Sequence, residues 1–412
     1  MIASRLAALL LAGLCSAGFA QESGPPKPRR PPRPDPSKKR PPPELLVKLP
    51  DDFVQYVRIP EGGVRPRVGV GKTGLALLYT QGDGALGDLY LALSKDEAKT
   101  FSPGVRVNPA PGTVLSWGKT QSGSVDVGPD GGVHVAWVSG GEKPAVQYVR
   151  ATAEGELAEV RELGSPAGLG STTAVTVDDR GQIFVVYSAD GPELDLDGNP
   201  MARIWLRRSL DGTNFTEPVA IDPTKNVSIH SNIAAHVDEV MGTVYVLYRS
   251  AHRMYEDNPV VSRSMRLLSS KDRGESFEVS PVDNLRGVRD PQTSGHLSQE
   301  KNSTLAAWDG DGRVCWSIIR RQLQQTQLPV EPKSLGPDVV CTHASCAAGG
   351  NEIILTWLQR PENDRNAPPR LGWQVWLREG RRALGEGQAP EPALGGGQVV
   401  FPRRAGGFTI VY

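Results

Sequence analysis

The segment ELDLDGN over residues 193–199 sets oxygen-bearing side chains at alternate positions: Glu193, Asp195, Asp197 and Asn199, with Gly198 between the last two. This resembles the opening of a calcium loop, where oxygen donors surround the ion and a glycine permits the sharp bend. The twelfth position of such a loop is Ile204, which offers no ligand. A solvated acidic loop therefore stands beside the calcium reading. His230, His252 and His296 fall in loops unrelated in sequence and do not form a zinc signature. Cys315, Cys341 and Cys346 follow the N-terminal segment; three is odd, so at least one thiol is free or pairs between chains. Cys341 and Cys346 can bond only if the chain turns between them, and three small buried residues are the simpler expectation. There is no zinc-type cysteine spacing, phosphate-cradling glycine loop, Ser-His-Asp signature or nucleic-acid motif.

The elements that must position any such chemistry start with export. MIASRLAALLLAGLCSAGFA has one arginine, an apolar run from Leu6 and small residues at Gly18 and Ala20, the pattern of a signal peptide over residues 1–20. The run is short for a membrane span, and Leu14 before Cys15 does not suit lipid attachment. The expectation is an exported product, whether secreted, periplasmic or at the cell surface, without a transmembrane anchor. Residues 21–43 are dense in proline and carry seven lysines and arginines, so they read as an extended, solvated linker. Over the whole chain, 46 Lys and Arg balance 46 Asp and Glu, which gives no support to a general attraction to nucleic acid or anionic lipid.

Residues 44–412 read as one all-β domain. Short apolar runs recur from Leu75 (LALLY), Val133 (VHVAWV), Ile183 (IFVVY), Val244 (VYVLY), Thr304 (TLAAW), Ile353 (IILTW) and Phe408 (FTIVY). They stand roughly 50–60 residues apart, a propeller-like period. A turn and another strand precede most of them; a third strand and a weaker fourth follow. Four antiparallel strands per repeat, in tandem, describe a β-propeller. The count of second strands is seven, provided that VVF…FTIVY joins N-terminal strands around LLVKL and FVQYVRI; six is the alternative.

SSKDRGESFEV at 269–279 falls between a third and a fourth strand. Ser270 and Asp272 can bond the turn's own backbone, Gly274 can take a positive φ, and Phe277 is expected to be buried between sheets. LSKDEAKTFSP near 96 and RSLDGTNFTEP near 211 are looser copies. These segments resemble the Asp-box of the sialidase superfamily, S-x-D-x-G-x-x-[FW], and the resemblance covers roughly Phe53 to the C terminus. Sialidases have six blades.

The resemblance implies a site on the face carrying second-to-third-strand loops, with three arginines on a carboxylate, an aspartic acid as acid/base and a glutamate-activated tyrosine nucleophile. YVRIP places Arg58 too far ahead of LALLY, so Arg65 or Arg67 in GVRPRVGV would be the first arginine; the two share a strand face if alternation is regular. Asp83 would be the acid/base, with Asp88 the lesser choice, and Arg249 the second arginine. Arg289 or Arg313 fits the third only by position. The match then fails: SIHSNIAAHV has His230 and Ser231 but no glutamate, and no tyrosine lies between Tyr255 and Tyr412. Without that pair the retaining mechanism has no covalent partner. The expectation is a glycan-binding or otherwise non-catalytic protein for an anionic or other carbohydrate ligand, using Arg65, Arg67, Arg249, Asp83 and an exposed aromatic such as Trp117. The alternative is an exo-sialidase or another glycoside hydrolase on the same face.

Overall fold

The structure is a computed structural model. It describes residues 49–412 apart from 83–84, 116–122, 167–171, 195–197, 199, 223–232, 254–260, 283–294, 301–302, 311, 320–323, 327–338, 365, 380–381 and 394–395. The regular elements of the described residues are all strands apart from one short 3-10 turn at Pro60–Gly62.

The strands form antiparallel groups in sequence order. The first sheet holds Val64–Val70, Leu75–Gln81, Leu86–Ser94 and Val105–Arg106; the second holds Gly123–Val127, Val133–Ser139, Ala145–Ala151 and Arg161–Gly164. The short strand Val114–Leu115 pairs with members of both and joins them. The third sheet is Thr173–Val177, Ile183–Leu194, Pro200–Ser209 and Val219–Ala220; the fourth is Ala234–Val237, Val244–Arg253, Val261–Ser270 and Glu278–Pro281. The fifth is Gly295–Glu300, Ser303–Gly310, Arg313–Ile319 and Gln324–Thr326; the sixth is Val339–Gly349, Glu352–Pro361, Arg370–Leu377 and Ala383–Pro392. The last sheet has three strands: Val399–Pro402, Phe408–Val411 and, from the other end of the domain, Val54–Val57.

This closing sheet departs from the four-stranded expectation. Val54–Val57 pairs with Phe408–Val411 in parallel, Val54 opposite Phe408, and Leu45–Lys48 of LLVKL lies outside the described residues. Parallel pairing lets Arg58 pass over the Tyr412 ring, 4.2 Å from its centroid, before the chain enters the first sheet.

The apolar runs are continuous because each second strand is buried on both sides. Leu77 and Tyr79 pack with Val399 and Phe401 of the closing sheet, whereas Ala76 and Leu78 pack with Val125 and Trp137 of the second. Tyr245 and Leu247 face the fifth sheet, and Val246 and Tyr248 face the third. An apolar cluster lies between each sheet and the next, including the closing sheet and the first. The first strands of successive sheets also touch in order, and Val399–Pro402 returns to Val64–Val70.

The three serine–aspartate turns share one hydrogen-bond scheme. The Ser270 hydroxyl donates to Asp272 Oδ1 (2.8 Å) and accepts from the Gly274 amide (2.7 Å); the Ser276 amide donates to Asp272 Oδ1 (2.9 Å). Ser94 and Asp96 repeat it with the amides of Ala98 and Thr100, as do Ser209 and Asp211 with those of Gly212, Thr213 and Asn214. These donors hold the Asp272 and Asp211 carboxyls well below the usual carboxylate range and Asp96 at about 2. Gly274 has φ 84°, and Ala98 adopts φ 67° at the matching place despite its side chain. Phe277 is half-buried rather than buried, covering the cluster between the third and fourth sheets from its rim.

Candidate functional site

Strand direction sorts the loops. First strands run toward the serine–aspartate turns, so the connections between second and third strands gather at the opposite end, the hairpin face. The charged loops after the second strands of the third, fourth and sixth sheets are partly regular. Ile183–Leu194, Val244–Arg253 and Glu352–Pro361 extend as strands through much of what reads in sequence as loop.

First strands from all seven sheets wall an axial cavity of about 450 Å³. Arg67 is on this wall, opposite Leu78 in register. Burial lowers its pKa to about 10, well above neutrality, so it remains a cation. Burial also lowers Arg65. The register shifts between Val64 and Arg67, and Arg65 has φ 57°. This bulge breaks the alternation that would set Arg65 and Arg67 on one face, because the extra residue re-aims the chain. Arg249 is half-buried in the second strand of the fourth sheet, opposite Met265 and two residues beyond Leu247 toward the hairpin face. Arg313 begins the third strand of the fifth sheet at that same end and is exposed. The structure thus sets Arg67 in the cavity wall, while Arg249 and Arg313 stand on more peripheral strands. Asp83, Trp117, His230, Ser231 and Arg289 lie outside the described residues.

Asp88 is committed to structure, because its Oδ1 accepts from Asn108 Nδ2 (2.7 Å) and the Gly112 amide (2.8 Å). Two tyrosine–carboxylate pairs invite comparison with an activated nucleophile. Tyr79 Oη donates to Glu61 Oε2 (3.3 Å), and Tyr248 sits between Asp222 and Arg266. Both residues are fully buried, and burial and the neighbouring carboxylate push both phenols up rather than down. A sugar cannot reach either, and neither phenol is activated by its surroundings.

Of the calcium-type set only Glu193 is described. It is ion-paired with the nearly buried Arg203, which also donates to the Asp222 carbonyl (3.2 Å). Asp195, Asp197 and Asn199 lie outside the described residues, and among the described residues no three His, Cys, Asp or Glu side chains are grouped to hold a metal. None of Cys315, Cys341 and Cys346 is in a disulfide, and all three are buried. Cys346 Sγ lies 3.5 Å from His296 Nδ1, yet burial pushes the thiol up and the imidazole down to about 3. That is the reverse of a thiolate–imidazolium pair.

The cavity also holds polar groups that the sequence reading did not single out. Asp126 Oδ2 accepts from Thr176 Oγ1 (3.0 Å) and the Val177 amide (2.9 Å), joining the second sheet to the third. Burial nevertheless raises its pKa. His236 Nε2 lies 3.0 Å from Gln299 Oε1, joining the fourth sheet to the fifth. The available signal was positional: Asp126, Thr176 and His236 each stand one residue before the end of GSVDV, TTAVTV and SNIAAHV.

No protein-family model and no curated protein matches the chain. Solved structures do. A Burkholderia pseudomallei lectin, BP39L, superposes with TM-score 0.55 at 11% identity, covering 82% of this chain and 89% of its own. An ulvan lyase of a polysaccharide lyase family gives 0.52 at 12% identity, covering 82% and 87%. A microbial sialidase, Hz136, gives 0.46 at 15% identity, covering 77% and 69%. No helix among the described residues is long and apolar enough to cross a membrane. The four-stranded sheets packed in sequence order, together with the lectin and the lyase, give the chain a β-propeller fold.

Proposed function

We propose that this chain is an exported, seven-bladed propeller that binds an anionic glycan at the hairpin-face end of its axial cavity without hydrolysing it. The observation that carries this reading is Arg67, a permanent cation in the wall of a ligand-sized cavity. An arginine fork can hold a carboxylate or sulfate through paired charge-assisted bonds. Arg65 and Arg249 extend the positive character toward the hairpin face. The neighbours lend chemical support: one is a lectin, and the ulvan lyase has been solved bound to -[GlcA(1-4)Rha3S]-. Seven blades is supported by the cyclic contacts of the first strands, and the serine–aspartate turns fit the Asp-box role. The non-catalytic reading rests on the two buried, unactivated tyrosines and on the absence of any tyrosine between Tyr255 and Tyr412.

The test is a glycan array with the mature chain at low and high salt, run beside a sialic acid release assay. Binding to uronic or sialic acid glycans that weakens with salt, and weakens again in Arg67→Ala, is expected. Neutral-only binding refutes the anionic reading. Robust release of sialic acid, abolished by Asp83→Ala, establishes the hydrolase instead.

A further inference from the structure

The axial cavity has a second tier, distinct from the Arg67 level. Asp126, Thr176, His236 and Gln299 come from four consecutive sheets. Each occupies the same register position, opposite the second residue of its partner strand: His134, Phe184, Tyr245 and Thr304 respectively. Ala348 and Phe401 occupy that position in the sixth and closing sheets, opposite Ile353 and Thr409. Arg67 stands two positions nearer the hairpin face, about 7 Å at strand rise. The tier is therefore two-sided, with four polar side chains on one arc and Ala348 and Phe401 on the other, all lining the cavity.

The polar arc is fixed and rich in acceptors. Gln299 Oε1 can only accept, and it already receives the Glu239 amide (3.1 Å), so the hydrogen between it and His236 sits on Nε2. The ring's other nitrogen, His236 Nδ1, makes no hydrogen bond among the described residues. Asp126 is held by the Val127 amide (2.8 Å), the Val177 amide and Thr176, three donors for a group with about four acceptor sites. One acceptor direction of its Oδ1 remains.

We infer that this tier is a binding site for a single neutral sugar ring, with Asp126 accepting a ring hydroxyl, His236 Nδ1 hydrogen-bonding another, and Ala348, beside the buried Phe401, meeting the apolar C–H groups. The chemistry matches because a pyranose presents hydroxyl donors at its edge and C–H groups on its face. An anion would meet Asp126, and an apolar ligand would leave the acceptors unpaired at a cost. A cavity of about 450 Å³ accommodates one such ring with its waters. This inference does not depend on the anionic-glycan reading, since it uses neither Arg67 nor the hairpin face.

The experiment is saturation-transfer NMR and calorimetry on the mature chain with glucose, galactose, mannose and N-acetylglucosamine. At least one should bind, with ring C–H protons receiving the strongest transfer. Asp126→Asn and His236→Phe should each weaken it at least tenfold. Ala348→Leu, which narrows the cavity without touching a polar group, should abolish it while melting stays near wild type, so the inference remains testable if the polar variants misfold. No binding by any of the four sugars overturns it, as does undiminished binding in Ala348→Leu. Neutral-sugar binding without acidic-glycan binding would leave this site standing and remove the anionic reading.

Discussion

Replacing Gly274 by alanine and Ala98 by glycine should give unequal effects, although both residues close the same kind of turn. Gly274 has φ 84°, where a side chain costs about 1–2 kcal/mol. A Cβ there would also stand 3.2 Å from both Leu206 Cδ2 and Phe184 Cε1, whose residues are fully buried and cannot retreat freely. Adding the lower end of an overpacking cost, Gly274→Ala should destabilise by about 2–3 kcal/mol. At position 98 the strain is already present, with φ 67°, and the methyl is buried against the first and closing sheets. Ala98→Gly relieves about 1–2 kcal/mol of strain. It gives up about 0.8 kcal/mol of methyl burial and about 0.5–1 kcal/mol of chain entropy. The net is near zero, within about 0.8 kcal/mol by the same terms. Urea denaturation at unchanged slope measures both. Equal destabilisation by the two substitutions, or a Gly274→Ala midpoint at the wild-type value, would refute the reasoning that conformation and not composition governs these turns.

The buried imidazoles should make the fold acid-sensitive before its carboxylates titrate. His134 is depressed to about 4 and His296 to about 3, both chiefly by burial, while the unfolded chain protonates near 6.5. Their contribution is full above pH 6.5 and is lost as pH falls toward those values; between pH 6.5 and 5 it amounts to a few kcal/mol. A melting temperature flat over that interval would exclude it. The three buried thiols should resist a bulky thiol reagent in the native state and react together on unfolding, with Cys341 pushed up to about 12; rapid native labelling of any one would contradict its burial. Deleting residues 49–58 should lower the melting temperature by well over 5 °C, since it removes Val54–Val57 and the Arg58–Tyr412 contact that close the last sheet to the first. An unchanged melt would mean that the parallel strand contributes nothing to closure.

Much of the fold was legible because propeller blades are local. Each second strand is buried on both sides, so it appears as a continuous apolar run, and each serine–aspartate turn satisfies itself within a few residues. Hence LALLY, IFVVY and SSKDRGESF announce their places without reference to the rest of the chain. The participation of FVQYVRI in the closing sheet was legible for the same reason: an apolar C-terminal pair with too few strands needs a partner. Its parallel direction was not, because direction depends on the route by which residues 49–63 reach the first sheet.

The site was less legible because it is built across sheets. Sequence could nominate Arg67 but could not show that a bulge at Arg65 separates the two arginines. It could see Glu193 as a metal ligand but not that Arg203 already occupies it. The tier of Asp126, Thr176, His236 and Gln299 has no motif at all. Its members are separated by about one blade each, and they meet only because every first strand enters the ring at the same height. Local burial and turn chemistry fix the blades; only closure of the ring decides which side chains share the axis.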